Sequence, residues 1–264
     1  MTQASPTRHT YRASNQEQLN RIIDRSLQKH TTITLRTWYL SKDGQKSLNR
    51  ILERILSHFN RMDLHDVLYT ASKEIVMNAT KANLKRLLFG QLADSDPDPA
   101  EYNRLMTHFK ENLNEERIRE MKHQFIAKGY FVDATIYYNP EVINIKVKNK
   151  FPLYRQEELR IREKFHQAEE FSNLIDFYMK HGDDTEGAGL GLTMVGILLE
   201  ESGIDRHCFT IFSNQYEETA AKLEIPLVDS YVPKRRRFEK EFEESYLTLE
   251  AFRDEFRQTL KQQP

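Results

Sequence analysis

The chain has 264 residues, with 39 lysines and arginines against 40 aspartates and glutamates, so its formal net charge is −1. Balanced charge gives no overall field that would recruit nucleic acid or an anionic membrane. The single cysteine, Cys208, excludes a disulfide framework and a cysteine-rich metal site. Because the sequence has neither a run of about 18 apolar residues nor the apolar core of a signal peptide, we expect a cytoplasmic protein without a membrane partner.

The first elements that the sequence predicts form a helix–strand–helix unit. Apolar periodicity predicts a helix over about 14–29, a strand over about 32–39 and a helix over about 44–60. The polar residues 41–44 supply the turn between the strand and the second helix.

The next helix, predicted over about 64–90, separates a polar from an apolar stripe. The polar stripe holds residues at i, i+4, i+7 and i+11, namely Glu74, Asn78, Lys81 and Lys85. The adjacent apolar stripe holds Leu68, Ala71, Ile75, Ala79 and Ala82. A carboxylate, a carboxamide and an ammonium group in a row suit water activation, Mg²⁺ coordination and phosphate neutralisation, respectively. A solvated helix face with ordinary surface ion pairs is the alternative interpretation.

A stretch rich in aspartate and proline, residues 94–99, precedes an inserted helix that we predict over about 100–127. Residues 129–138 then alternate as a strand, turn at 139–141 and pair with a second strand over 142–149. The segment that follows, up to about residue 186, has a helical pattern that weakens toward Gly182.

A glycine-rich run, Gly-Ala-Gly-Leu-Gly-Leu at 187–192, opens an apolar helical stretch. Glycine at alternate positions lets backbone N–H groups approach phosphate oxygens at a helix N-terminus, where the helix dipole also favours negative charge. A dinucleotide-binding site would need a buried strand before this run. The preceding residues form a polar loop instead, so the sequence indicates a different kind of nucleotide site.

Together these blocks resemble the ATP-binding domain shared by histidine kinases, DNA gyrase, heat-shock chaperone ATPases and mismatch-repair ATPases, the GHKL superfamily. Glu74, Asn78 and Lys81 resemble its N box, and the run 187–192 resembles its G2 box. Residues 209–227, with two candidate strands and a closing proline, resemble the final hairpin of histidine-kinase catalytic domains. The resemblance implies an α/β fold, a two-layer sandwich in which helices cover one face of a mixed β-sheet.

The resemblance also implies how the chain is divided. The ATP-binding domain would span 31–228, with a helical insertion at about 91–127 and the ATP lid at about 154–186. An N-terminal extension and helix would occupy 1–30, and an amphipathic C-terminal helix would occupy 229–264.

The family's ligands are ATP and Mg²⁺, and the resemblance implies a role for each matching residue. Glu74 would act as general base or orient the attacking water, and Asn78 would bind Mg²⁺. Contacts with the nucleotide are implied for Asn78, Lys81, Asn149, Gly187, Gly189, Leu190, Gly191, Leu192 and Thr219.

The chain departs from the family at the block called the G1 box. Asn149 stands where the family has an aspartate, and Phe151 and Leu153 stand in place of two glycines. An amide oxygen still accepts a hydrogen bond from the adenine amino group, at a loss of about 1 kcal/mol relative to a carboxylate. Two large side chains now occupy a turn where the backbone of the family comes close to the ligand.

The C-terminal segment combines a basic run, residues 234–237, with an aromatic stripe. The stripe lies on a helix predicted over about 238–260 and holds Phe238, Phe242, Leu249, Phe252, Phe256 and Leu260. Such a stripe must cover the domain's own surface, a second copy or a protein partner. We interpret the basic run as a local charge partner of the acidic helix, and we do not expect nucleic acid to bind there.

Two classes of function remain. His65 and Asp66 resemble a phospho-acceptor motif, but they lie nine residues before Glu74 on the same predicted helix, so we interpret His65 as a residue of the helix start. The chain would then be a signalling kinase or ATPase without an acceptor of its own, acting on a separate protein. The alternative is a catalytically inactive interaction module, like an anti-sigma factor or a pseudokinase, with weak or no nucleotide binding.

Overall fold

A computed structural model describes residues 9–11, 16–90, 97–181, 190–214, 216–249, 251–253 and 255–256. The helices are α1 Gln16–Lys29, α2 Lys42–His58, α3 His65–Phe89, α4 Pro99–Glu111, α5 Glu115–Glu120, α6 Lys122–Lys128, α7 Arg155–Glu169, α8 Leu174–His181, α9 Leu190–Glu201 and α10 Lys234–Glu243. The strands are β1 His9–Tyr11, β2 Ile33–Thr37, β3 Val132–Tyr138, β4 Val142–Asn149, β5 Phe209–Ser213 and β6 Thr219–Pro226.

The described strands form one sheet in the order β1-β2-β3-β4-β6-β5. β1 is parallel to β2 and every other neighbouring pair is antiparallel, so the sheet is mixed, as predicted. The predicted α/β class is therefore confirmed. Of these strands only β1 was not predicted, because three residues are too few for an alternating pattern to be recognised.

Helices cover one face of this sheet. Along β3 the side chains of Val132, Ala134 and Ile136 are buried, while the intervening ones are partly or fully exposed. The buried row belongs to a core shared with α1, α2, α3 and α9. This alternation follows from the two-residue period of a strand, which sends successive side chains to opposite faces.

The longest helix, α3, joins two cores. Its first half, including Leu68 and Ile75, packs into the core under the sheet. Its last turns, including Leu84 and Phe89, pack against the insertion in a second, separate core. Glu74 and Asn78 lie on the first half, next to its core residues Ile75 and Ala79, and Lys81 lies between the two cores.

The inserted helix is broken, contrary to prediction. The segment predicted as one helix over about 100–127 folds as α4, α5 and α6. Asn112 ends α4, and the side chain of Asn114 accepts the backbone N–H of Arg117 at 2.8 Å and so caps α5. Asparagine favours such cap positions over helix interiors, and two asparagines in three residues therefore interrupt the helix.

The prediction of one continuous C-terminal helix is also wrong. α10 ends at Glu243, and Thr248 begins a new helical turn by accepting the backbone N–H of Ala251 on its hydroxyl and that of Phe252 on its carbonyl. Hydroxyl residues favour caps because the side chain competes with the helix for backbone hydrogen bonds.

Because of this turn, the aromatic stripe folds back on itself. The rings of Phe252 and Phe256 each lie 5.1 Å from that of Phe238, and Phe252 lies 5.4 Å from Phe242. Much of the aromatic stripe is thus covered by residues of its own segment. Leu260 lies outside the described residues.

A buried carboxylate fixes the start of α10 to the sheet. Glu224 of β6 accepts hydrogen bonds from the Tyr231 hydroxyl at 2.8 Å and the Lys234 backbone N–H at 3.1 Å, and it pairs with Lys222. Burial raises the pKa of Glu224, but the Lys222 charge and these hydrogen bonds outweigh burial and hold the pKa below its ordinary value. The carboxylate therefore stays ionised and caps the N-terminus of α10.

Candidate functional site

A cleft of about 1560 Å³ lies between α3, the insertion, α7 to α9 and the strands β4 and β6. It brings together the predicted site residues that fall in the described chain, which are Glu74, Asn78, Lys81, Asn149, Leu190, Gly191, Leu192 and Thr219. Gly187 and Gly189 lie outside the described residues. Three blocks far apart in the sequence therefore share one cavity.

The N-box side chains contact one another across one helical turn. The Asn78 amide nitrogen donates to the Glu74 carboxylate at 3.3 Å. This leaves the Asn78 amide oxygen, a hard donor of the kind that Mg²⁺ prefers, as the free polar atom of that side chain.

Gly191, at the start of α9, lies directly on the Glu74 carboxylate. A Cβ added at position 191 would come within 1.8 Å of Glu74 Oε1. Any larger residue there would require the Glu74 side chain to move. The two predicted phosphate-end blocks are thus in direct contact at the start of the described part of α9.

The two lysines of the polar stripe have different partners. Lys81 lines the cleft and has no ion-pair partner in the part of the chain that is described. Lys85 instead pairs with Glu157, a buried carboxylate of α7 whose other oxygen lies 3.4 Å from the Arg86 guanidinium. Lys81 is therefore the stripe's cation that is free to neutralise a ligand, while Lys85 holds α7 against α3.

Asn149 is oriented by two neighbouring groups. Its amide nitrogen donates to the Ala79 carbonyl at 2.9 Å and to Asn83 Oδ1 at 2.7 Å. Asn83 donates in turn to the Tyr130 carbonyl at 3.1 Å. Because both carbonyls can only accept, neither amide can be reversed without losing a hydrogen bond. The Asn149 amide oxygen is the atom left to meet a ligand in the cleft.

In the altered turn after β4, the side chain of Phe151 fills the space without blocking the cleft. The Phe151 ring packs against Tyr130 at 5.5 Å and under the Arg86 guanidinium at 4.6 Å, whereas Leu153 lines the cleft. The Phe151 carbonyl accepts from both the backbone N–H and the hydroxyl of Thr219, each at 2.8 Å. Thr219 therefore keeps only acceptor capacity for a ligand.

His65 has partners of its own at the start of α3. Its Nδ1 lies 3.0 Å from an Asp66 oxygen and its Nε2 lies 3.0 Å from the Asn49 side-chain oxygen. Nine residues of helix separate it from Glu74 by about 13 Å. The geometry supports the interpretation of His65 as a residue that anchors the helix start.

Sequence reasoning missed several residues in the cleft wall or directly behind it. Asn83 orients Asn149, Glu157 orients Lys85, and Tyr102 and Met106 come from the insertion. Glu157 also accepts the Tyr154 backbone N–H at 2.9 Å as part of a capping box, which is a recognisable local signal. The others depend on tertiary contacts that leave no pattern in the sequence.

Comparisons with known proteins do not assign the chain to a family. No protein-family model matches the chain, and no solved structure matches it. An uncharacterised protein of Treponema pallidum (strain Nichols) is 26% identical over 204 residues, which cover 77% of this chain and 39% of that protein. The chain thus spans about two-fifths of the length of this relative. In the ranges that the structure describes, every helix is too short or too polar to cross a lipid bilayer.

Proposed function

We propose that the cleft binds Mg²⁺–ATP and that the chain is a histidine kinase-like ATP-binding protein that acts in signalling on a separate protein. The observation that carries the proposal is the contact between Gly191 and Glu74, because it joins the two phosphate-end blocks of the family in one cavity. A solvated helix face would not explain this contact.

The residues present fit the proposed ligands at the phosphate end. Asn78 would hold Mg²⁺ through its amide oxygen, since its nitrogen is engaged by Glu74. Lys81 and the first amides of α9 would neutralise the phosphates. Glu74, held beside Asn78, would orient or deprotonate the attacking water or hydroxyl group.

At the base end, the Asn149 oxygen would accept a hydrogen bond from the adenine amino group. Its nitrogen is fixed by Ala79 and Asn83, so the acceptor faces the cleft without a side-chain rearrangement. Thr219 pairs with Asn149 across the β4–β6 ladder and would add a second acceptor.

Equilibrium titration with a non-hydrolysable ATP analogue tests the proposal. We expect binding that depends on Mg²⁺ and is weakened at least tenfold by Asn78→Ala. Asn20→Ala, which alters an α1 asparagine outside the cleft, is the matched control and should bind like wild type. The proposal fails if the wild type does not bind at millimolar nucleotide.

Phosphate release separates an enzyme from a module that only binds. We expect release by the wild type and its loss in Glu74→Ala with binding retained. Leu153 favours the second candidate, a regulatory interaction module, because this side chain lines the cleft where the family has glycine. Nucleotide binding without Glu74-dependent release would support that candidate.

A further inference from the structure

The cleft is larger than one nucleotide requires. Its volume of about 1560 Å³ exceeds the roughly 300–1,000 Å³ of ordinary small-molecule sites. The additional wall comes from the insertion, with Met106 of α4 and Leu113 and Ile118 after it, while Ile161 lines the cleft from α7. We call the space bounded by these four residues the insertion compartment.

The insertion compartment has an electropositive rim. Lys110 of α4 and Arg160 and Lys164 of α7 line the cleft, and no carboxylate lies within 4.0 Å of them among the described residues. The acidic lining residues of α7 are Glu157, which pairs with Lys85 and Arg86, and Glu163. The Arg160 guanidinium lies 4.9 Å from the Tyr102 ring centre and so connects α7 with the insertion. Because Glu157 is neutralised by its own partners, the three cations outnumber the remaining acid, Glu163, and favour an anionic occupant.

We propose that the insertion compartment binds an acidic, apolar peptide segment of a protein partner beside the nucleotide. The apolar wall matches leucine-like side chains, and the cations match separate carboxylates. A fatty acid has a single charged head, whereas these cations are spread over two helices. A nucleic acid would bring flat bases, and not branched aliphatic side chains, to the wall formed by Met106 and Leu113.

The peptide site rests on the cleft itself, and only its place beside ATP rests on the proposed function. A partner in trans is also what the proposed signalling role requires, because His65 is engaged by Asp66 and Asn49 at the start of α3. Lys81 lies on α3 one helical turn from Lys85, and both line the same cleft as Arg160. A peptide in the compartment would thus lie next to the phosphate end.

Fluorescence anisotropy with a synthetic peptide tests this proposal. The probe is a fluorescein-labelled peptide of about 16 residues, with leucine at i, i+3, i+4 and i+7 and glutamate elsewhere. We expect saturable binding to the full chain, at least tenfold weaker for the double variant Lys110→Glu with Arg160→Glu. Arg162→Glu, on the same helix but paired with Glu158 outside the cleft, should bind like wild type.

Further measurements separate this proposal from its alternatives. Unchanged melting of the double variant would show that its fold is intact. Equal binding of a lysine-for-glutamate peptide, or saturable binding of oleate in place of the peptide, would overturn the proposal. A wild type that binds ATP but not the peptide refutes this inference alone, and one that binds the peptide but not ATP refutes the proposed nucleotide site alone.

Discussion

Aspartate at position 149, the residue found there in the ATP-binding domains that the sequence resembles, should destabilise this protein. In the Asn149→Asp variant the carboxylate cannot donate to the Ala79 carbonyl, and it would face Asn83 Oδ1 as a second acceptor. Position 149 is 4% exposed, so water cannot readily replace the lost partners. The structure requires a hydrogen-bond donor at this position, which an ionised aspartate cannot supply.

The size of the effect follows from the two lost hydrogen bonds. Leaving a buried polar group without a partner costs about 1–3 kcal/mol, and more when the group is charged. Rotation of Asn83 would recover one contact with the new carboxylate but would leave the Tyr130 carbonyl without its donor. We therefore expect a loss of about 3 kcal/mol at neutral pH, which lowers the melting temperature by roughly 6–12 °C.

The penalty should depend on pH with a defined sign. Burial beside two acceptors raises the pKa of the introduced carboxyl in the folded state above its unfolded value. The folded state then takes up a proton more readily, so the penalty is largest at neutral pH and shrinks as pH falls through the raised folded pKa. A protonated carboxyl can donate to the Ala79 carbonyl, which restores part of the wild-type contact.

Thermal and urea denaturation of wild type and Asn149→Asp, each between pH 5 and pH 8, measure this difference. Asn103→Asp, on an exposed position of α4, is the matched control for replacing an asparagine by aspartate. Equal stability of Asn149→Asp and wild type at neutral pH would refute the assigned amide orientation.

Three further perturbations test other parts of the structure. Gly191→Ala should force the flexible Glu74 side chain to turn away from α9, so the substitution should be about 1 kcal/mol less favourable in the wild type than in Glu74→Ala. Equal effects of the substitution in the two backgrounds would contradict the contact. As pH falls through the lowered pKa of Glu224, the backbone amide of Lys234 should lose hydrogen-exchange protection, once the rates are corrected for intrinsic exchange. If the capping carboxylate is responsible, Glu224→Gln should abolish this pH dependence. Phe252→Ala should speed amide hydrogen exchange within residues 234–256 without changing the main unfolding transition. An equal loss of global stability would instead show that the aromatic cluster belongs to the main core.

The sequence predicted most of the elements because their patterns are long and regular. The helix over α3 and the strand β4 were predicted to within a residue, since apolar spacing and alternation persist over many residues there. The breaks at Asn114 and Thr248 were missed because a single cap can end a helix within an otherwise continuous pattern.

The candidate site was predictable only in part for a related reason. Glu74, Asn78 and Gly191 could be found because each lies in a local motif. The pairing of Lys85 with Glu157 and the fixed orientation of Asn149 depend on which segments the fold brings together. A stripe on one helix therefore indicates which residues share a face, but not which of them are already paired.

The length of α3 has a mechanical consequence. Its 25 residues form a rod of about 37 Å that is clamped at one end by the sheet core and at the other by the insertion. Glu74 and Asn78 lie near the middle of that rod. A tilt of the insertion would move both side chains together relative to α9. A change at the distant end of α3 would therefore alter the distance between Glu74 and Gly191 without any direct contact there.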